Sequence, residues 1–294
     1  MRSSFEARVL LLDIDIDIGT DIGIDIDMDL ELRNKRALVT GGSRGIGKAI
    51  ARGLALEGAS VALLARDPER LAATAAEIVN ETGATVVGVV ADTADEAQVV
   101  RAVAEAAAAL GGGIDILVNA AAEPGGYAAP PKLAEIDAAH LQREIDVKVM
   151  GYLRCARAVA PYMQAQRWGR IVNLSGLAAR QTGNAVGSIR NVAVAAATKN
   201  LADELGPAGI NVTVVHPGLT RTERTAALVQ ARAKAQGTSE AAVEQQMAEG
   251  NSIRHLVDAA EVAHVVVFLC SPKSVAINGD AIAAGGGAPR AIHY

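Results

Sequence analysis

The stretch Thr40-Gly41-Gly42-Ser43-Arg44-Gly45-Ile46-Gly47 decides the fold of this chain. The apolar segment over 36–40 before it predicts a short strand, and the segment from about 46 to 57 after it predicts a helix. Glycines in such a turn permit a tight bend and a close approach of the backbone to a pyrophosphate. The start of the helix adds free N–H groups and the positive end of its dipole. The stretch therefore predicts a dinucleotide-binding turn.

Strand and helix patterns alternate from this turn to the end of the chain. Further strands are predicted over 60–65, 85–91, 114–119, 170–175, 210–215 and 280–284. Helices are predicted from 68 onward and over 95–110, 138–166, 187–205 and 259–269, with a polar helical insertion over 222–250. Such alternation predicts an α/β fold with a doubly wound parallel sheet of Rossmann type, in one domain over 29–294.

Composition narrows the classes of function. Of 294 residues, 50% are hydrophobic but only 2% aromatic, so the core must consist of aliphatic side chains, as is typical of parallel sheets covered by helices. A net charge of −5 without a basic stripe argues against a nucleic-acid partner. Cys155 and Cys270 lack the spacing of metal ligands or of a disulfide framework, which fits a reducing cytoplasm. We expect a cytoplasmic protein with a small-molecule substrate and no metal, nucleic acid or membrane partner.

The first residues differ in kind from the rest. From Asp13 to Asp29, Asp alternates with Ile or Met, and the order of Asp and Gly does not fit an EF-hand. We interpret 1–28 as a low-complexity extension. An edge strand or an ion site is the alternative, because a period of two also predicts a strand with one acidic face.

The spacing T-G-x-x-x-G-x-G resembles the short-chain dehydrogenase/reductase family, and four further landmarks follow in order over about 29–287. Asp92 follows the third strand, 119–122 resembles the family's N-N-A-G, Pro217-Gly218 with Thr222 follows the sixth strand, and Gly285-Gly286 resembles the C-terminal glycine pair. The resemblance implies that Asp92 contacts the adenine ring and that the segment from Pro217 holds the nicotinamide amide. It implies this cofactor-binding set: Thr40, Gly41, Ser43, Arg44, Gly45, Ile46, Gly47, Arg66, Asp92, Asn119, Pro217, Gly218 and Thr222.

Charge near the second strand favours NADP(H) over NAD(H). NAD-specific sites place an acidic residue there to bind the ribose hydroxyls. Here the position falls on Ala65, followed by Arg66, and Arg44 lies inside the glycine turn. Arginine suits a 2′-phosphate better than a diol. Two alternatives stay open: the arginines are ordinary surface residues, or Asp67 reaches the ribose.

The resemblance also implies a catalytic tyrosine, a lysine four residues later, a serine after the fifth strand and an asparagine in the preceding helix. All four positions hold other residues in this chain. Counting back from 201–207 gives the tyrosine and lysine positions, while the end of the fifth strand and the preceding helix give the serine and asparagine positions. A one-residue shift pairs Ser175 with Ser188 but then places Val192 at the lysine position, so no register restores the set. The four positions, in the order tyrosine, lysine, serine and asparagine, hold Gly187, Asn191, Gly176 and Lys148.

Other side chains are candidates for the missing proton donor. Lys148 is one, because a desolvated lysine can titrate near neutrality. Tyr127, His216 and Ser175 are further candidates, and Arg190 is a candidate for polarising a carbonyl. All five also have a structural interpretation. In the order Lys148, Tyr127, His216, Ser175 and Arg190, these are a paired helix residue, a loop-packing residue, a wall residue, a supporting residue and a surface or interface charge.

Two functions remain after these observations. The first is an NADP(H)-dependent oxidoreductase acting on a carbonyl, an alcohol or an activated alkene with an atypical proton donor. The second is a non-catalytic NADP(H)-binding homologue that acts as a sensor or a partner subunit. In either case 222–250 is predicted to form a helical substrate lid. The Ala-rich helical patterns over 149–163 and 192–205 predict a homodimer or homotetramer.

Overall fold

The computed structural model describes residues 28–122, 130–289 and 292. Within these ranges, seven parallel strands form one sheet in the order β3-β2-β1-β4-β5-β6-β7. Strand order reverses between β1 and β4, which is where open sheets of this kind bind ligands. The strands are β1 Arg36–Thr40, β2 Ser60–Ala65, β3 Val86–Val90, β4 Ile116–Asn119, β5 Gly169–Leu174, β6 Ile210–Pro217 and β7 Ala281–Ala284.

Helices cover both faces of the sheet. On one face α1, α2 and α9 enclose a core that contains Ile50, Leu71 and Val266. On the other, α3, α5 and α6 enclose a core that contains Val99 and Cys155. The helices are α1 Gly45–Leu56, α2 Pro68–Thr82, α3 Glu96–Ala109, α4 Ala138–Glu144, α5 Gly151–Gln166, α6 Ala185–Leu205, α7 Thr225–Gln236, α8 Glu240–Ala248 and α9 Ala259–Cys270.

The predicted fold class is confirmed, and one helical pattern differs from its prediction. The pattern over 138–166 is divided into α4, a π-helix over Ile145–Met150 and α5. The Gly151 N–H donates to the carbonyl of Asp146, five residues earlier. Arg154 stabilises this wide turn, because Nη1 donates to the Asp146 carbonyl at 3.2 Å and Nη2 to its carboxylate at 2.6 Å.

Two sequence predictions concern residues outside the described ranges. Of the segment 1–28, interpreted as a low-complexity extension, only residue 28 is described, and Tyr127 also lies outside these ranges. The segment over 222–250 contains α7 and α8, which pack around a small apolar cluster that also includes Leu256. None of the described helices has the combination of length and apolarity needed to cross a membrane.

Candidate active site

A cavity of about 740 Å³ opens at the carboxyl ends of the strands. Its wall runs from the glycine turn and the end of β2, past the ends of β4 and β5, to the start of the segment over 222–250. It therefore lies at the reversal of strand order, where the fold predicts a ligand. Most residues of the predicted cofactor set line it, namely Gly41, Ser43, Arg44, Gly45, Ile46, Gly47, Arg66, Asp92, Pro217, Gly218 and Thr222.

The glycine turn has the backbone geometry that glycine permits. Gly41 and Gly45 have φ angles of +67° and +56°, in the left-handed region that side chains disfavour. A Cβ on Gly47 would lie 2.3 Å from the Gly41 carbonyl oxygen, so the first turn of α1 packs directly on the loop. This close packing leaves the N-terminus of α1 open to the cavity.

An acidic side chain of the same chain binds at that N-terminus. The Gly45 N–H donates to the two carboxylate oxygens of Glu223, at 3.0 and 3.2 Å. The helix start thus accepts an anion, which is the property that a pyrophosphate requires. The residues of the turn fit a dinucleotide on this observation.

Two predicted cofactor residues lie behind the cavity wall. Thr40 is fully buried, and its Oγ1 accepts from the N–H groups of Ala120 and Ala121 at 3.1 Å each. Asn119 is also fully buried, and its Nδ2 donates to Asn173 Oδ1 at 2.9 Å. Both side chains join neighbouring strands, so the structure places them as supports of the loops that form the wall.

The end of the cavity beside β2 carries the charged side chains that bear on the choice between NADP(H) and NAD(H). β2 ends at Ala65, and Arg66 Nη1 lies 3.8 Å from Asp92 Oδ2. Asp67 lines the cavity, but its carboxylate accepts from the Arg70 N–H at 3.0 Å and caps α2. An N-cap role accounts for Asp67 without a ribose.

The residues at the four positions of the family's catalytic set line the opposite end of the cavity. Lys148, in the π-helix, is 5% exposed. Its Nζ donates to the Ser175 carbonyl at 2.8 Å and to Asn191 Oδ1 at 3.1 Å. Burial, followed by the charge of Arg190, lowers the pKa of Lys148 to about 7, although Glu144 opposes this shift.

The two glycines at this end make room for asparagine side chains. A Cβ on Gly176 would lie 2.9 Å from Asn191 Nδ2, and one on Gly187 would lie 2.8 Å from Asn184 Nδ2. Asn184 caps α6, because its Oδ1 accepts from the Gly187 N–H at 2.8 Å. At both positions a Cβ would contact the neighbouring asparagine, which explains why glycine fits there.

The remaining candidates are placed differently from one another. The Ser175 hydroxyl donates to the Asn191 carbonyl at 2.9 Å. Arg190 lines the cavity and forms an ion pair with Glu144. His216 is 2% exposed on β6 and, in the part of the chain that the structure describes, is not part of the cavity wall.

Two residues of this wall were missed by the sequence analysis. Tyr152 lies on α5, and its hydroxyl donates to the Leu174 carbonyl at 3.0 Å. Burial raises the pKa of this phenol. Its spacing of four from Lys148 is a signal that could have identified it, since such pairs share a helix face. Glu223 has no comparable signal, because its partner Gly45 is far away in the sequence.

A surface cluster of possible metal ligands lies elsewhere. Donor atoms of His255, Asp258 and Glu261 all lie within 4.8 Å of one another near the start of α9. His255 Nε2 lies 2.8 Å from Glu261 Oε2, which also accepts from the Asp258 N–H at 2.7 Å. A hydrogen bond between His255 and Glu261 and a capping box account for these positions.

Comparison with known proteins gives the family. The sequence model described as short chain dehydrogenase matches residues 35–233, which is more than half of the chain. The chain belongs to the short-chain dehydrogenase family. The match includes the glycine turn, the π-helix with Lys148, and α6.

Individual members of the short-chain dehydrogenase family extend the similarity to most of the chain. The short-chain reductase protein NovJ of Streptomyces niveus is 34% identical over 86% of this chain and 93% of its own length. L-sorbose reductase of Gluconobacter frateurii, solved with NADPH and L-sorbose, is 30% identical with a TM-score of 0.83, covering 90% of this chain and all of that one. A xylitol dehydrogenase solved with NAD⁺ is 29% identical with a TM-score of 0.77, covering 87% of this chain and all of that one.

Proposed function

We propose that the protein is an NADP(H)-dependent oxidoreductase that acts on a carbonyl, an alcohol or an activated alkene, with a proton donor other than the family's tyrosine. One observation carries the proposal. A single cavity joins the anion-accepting start of α1 to a buried amine at the end of β5. A dinucleotide that spans such a cavity brings its reactive ring to the end where Lys148 and Asn191 lie.

The chain's residues divide the work of holding the cofactor. Backbone N–H groups at the start of α1 bind the pyrophosphate, and the close contact of Gly41 with Gly47 lets it approach. Pro217, the last residue of β6, and Gly218 after it line the end of the cavity that would hold the nicotinamide. When bound, NADP(H) supplies or accepts a hydride at the nicotinamide ring.

Three features support NADP(H) over NAD(H). β2 ends at Ala65, so no carboxylate stands at the usual ribose position. Arg44 and Arg66 both line the cavity. Asp67, the next acid along the chain after β2, caps α2. The L-sorbose reductase structure contains NADPH, whereas that of xylitol dehydrogenase contains NAD⁺.

The segment over 222–250 is proposed as the substrate lid. Thr222, Glu223 and Arg224 at its beginning and Met247 and Gly250 near its end line the cavity. α7 and α8 pack on each other through a small apolar cluster that also includes Leu256, just after the segment. On this proposal the two helices and Leu256 move together as a lid.

The first test measures cofactor binding and turnover together. Calorimetry should show that NADPH binds more tightly than NADH. The purified protein should then oxidise NADPH in the presence of at least one aldehyde, ketone or activated alkene of a broad panel. Binding without turnover across the panel contradicts the oxidoreductase, and binding of neither nucleotide contradicts both candidate functions.

The second candidate function is a non-catalytic NADP(H)-binding homologue, acting as a sensor or a partner subunit. Gly187 and Asn191 at the tyrosine and lysine positions favour it. A restored enzyme tests it, with Gly187→Tyr and Gly176→Ser, and with Lys148→Asn and Asn191→Lys so that two ammonium groups do not meet. Asn184→Ser makes room for the tyrosine and keeps a helix cap. Turnover gained only by the restored chain supports this candidate.

The assembly and location of the protein remain predictions. We propose a homodimer or homotetramer, because Ile189 and Val192 of α6 and Met150 beside it are exposed apolar side chains. Both cysteines are free and buried, which is consistent with the cytoplasm expected from the sequence.

A further inference from the structure

We propose that the Lys148 amine is the group that gives a proton to the substrate oxygen during carbonyl reduction. This inference rests on the proposed function and names the residue that it leaves open. The position corresponds to the family's asparagine, so the assignment does not follow from the resemblance. It follows from how this amine is held.

Two acceptors fix the nitrogen in the cavity wall. The Ser175 carbonyl, directly after β5, accepts at 2.8 Å, and Asn191 Oδ1, on α6, accepts at 3.1 Å. An ammonium group carries three N–H bonds. Among the described residues only these two acceptors are hydrogen-bonded to Nζ, and Lys148 lines the cavity. The third N–H is therefore the one available to a substrate.

The same anchoring suits both protonation states. A neutral amine still has two N–H bonds, which satisfy Ser175 and Asn191, and its lone pair takes the third direction. Loss of the third proton therefore breaks neither hydrogen bond. A group that changes charge without moving its partners is the preorganised arrangement that favours proton transfer.

The electrostatic setting supports this role. Burial disfavours the charged amine, and the charged groups that act on it are Arg190 from α6 and Glu144 from α4. Arg190 opposes the ammonium and Glu144 favours it, which leaves the pKa of Lys148 at about 7. An acid with a pKa near the working pH is the most effective general acid.

Competing hydroxyl groups in this wall have already committed their protons. Tyr152 donates to the Leu174 carbonyl at 3.0 Å, and Ser175 donates to the Asn191 carbonyl at 2.9 Å. Burial also raises the pKa of Tyr152, which makes its proton harder to give up. Of these three groups, Lys148 is the one with a proton that no described residue accepts.

Reduction of a carbonyl to an alcohol requires one hydride and one proton. The carbonyl carbon accepts a hydride with its two electrons from NADPH, which is oxidised to NADP⁺. The carbonyl oxygen takes the third proton of Lys148, and the product is an alcohol. The amine, left neutral and still bound to its two acceptors, regains a proton from water.

The experiment compares Lys148→Met and Lys148→Arg with wild type and with Lys273→Met. Lys273 is a surface lysine paired with Glu31, so its variant is a matched control that should retain full activity. We expect Lys148→Met to lower kcat for reduction by about 10²- to 10⁴-fold. Its NADPH affinity should stay within a few-fold of wild type. In wild type, kcat/KM for reduction should fall as the pH rises through about 7, and Lys148→Met should lose this fall.

A second readout does not depend on turnover. In protein labelled with ¹³Cε-lysine, the Lys148 signal, assigned by its loss in Lys148→Met, should titrate near pH 7. Lys148→Arg should not restore the pH dependence, because arginine stays protonated.

The outcomes separate this inference from the proposed function. Wild type that binds NADPH but turns over neither a carbonyl nor an activated alkene contradicts the proposed function, and with it the role of Lys148, before any variant is made. Wild type that reduces activated alkenes but no carbonyl contradicts the role of Lys148 alone. An active wild type whose Lys148→Met variant loses NADPH affinity but keeps kcat would overturn the proton role alone, because the amine would then hold the cofactor. A Lys148 signal that does not titrate between pH 5 and 9 would overturn it as well.

Discussion

The unusual residues of the candidate active site fit one another as a set. Lysine and asparagine have changed places between 148 and 191 relative to the family pattern, and their side chains still form a hydrogen bond of 3.1 Å. The amide of Asn191 occupies space that a side chain at 176 would need, since a Cβ there would lie 2.9 Å from its Nδ2. A single reversion at any of these positions therefore meets a neighbour adapted to the present residue.

At the scale of single residues, Arg66 provides the test of cofactor preference. We expect Arg66→Ala to weaken NADPH binding about tenfold, because an exposed arginine loses a charge-assisted bond to the 2′-phosphate. NADH, which lacks that phosphate, should bind as it does to wild type. Calorimetry with both nucleotides measures the difference. Arg101→Ala is the matched control, since both arginine side chains are 57% exposed. Equal losses for NADPH and NADH would contradict the assignment.

At the scale of elements, the segment over 222–250 and the start of α1 are joined by Glu223. Its carboxylate takes the Gly45 N–H that a pyrophosphate would need, so the cofactor has to displace it. We expect Glu223→Gln to bind NADPH roughly two- to fivefold more tightly, because a charge at a helix N-terminus contributes about 0.3–1 kcal/mol. Calorimetry checks this value.

The control for Glu223 is an acid at the start of another helix. Glu240→Gln removes a carboxylate from the start of α8, outside the cavity, and should leave NADPH affinity unchanged. Weaker NADPH binding by Glu223→Gln would mean that Glu223 helps to hold the cofactor.

Most of the elements could be predicted from the sequence, but the π-helix could not. The strands and helices follow from apolar periodicity, and their alternation gives a doubly wound parallel sheet, so the fold class could be predicted. The π-helix over Ile145–Met150 could not, because its wide turn depends on Arg154 reaching back to Asp146. That turn positions Lys148, and π-helical turns frequently occur at functional sites.

The part of the candidate site that the backbone forms could be predicted from the sequence. The parts that depend on contacts between side chains and other elements could not. The glycine turn has a fixed spacing, so residues 41–47 could be assigned from sequence alone. The roles of Tyr152 and Glu223 depend on contacts with Leu174 and Gly45, which lie on other elements. Such contacts are set by tertiary packing, which a single sequence does not reveal.

At the scale of the whole molecule, the two halves of the sheet contribute different parts of the cavity. β1 and β2 bring the glycine turn and Arg66, while β5 and β6 bring Ser175, Gly176 and Pro217. The first half retains the family pattern, and the departures lie in the second half and in the helices beside it. Cofactor binding and chemistry can therefore change independently of each other.

The exposed apolar side chains near the start of α6 bear on the assembly. Ile189 and Val192 are 50% and 49% exposed on the same face of this helix, and burying such side chains stabilises an interface. We expect light scattering to give the mass of a dimer or tetramer for wild type. Ile189→Asp combined with Val192→Asp should reduce it to that of a monomer, because two carboxylates would be buried without partners. Val100→Asp, on α3 and 53% exposed, is the control that should keep the wild-type mass. A monomeric wild type would exclude this interface, and an oligomer unaffected by the double variant would place the contact on another surface.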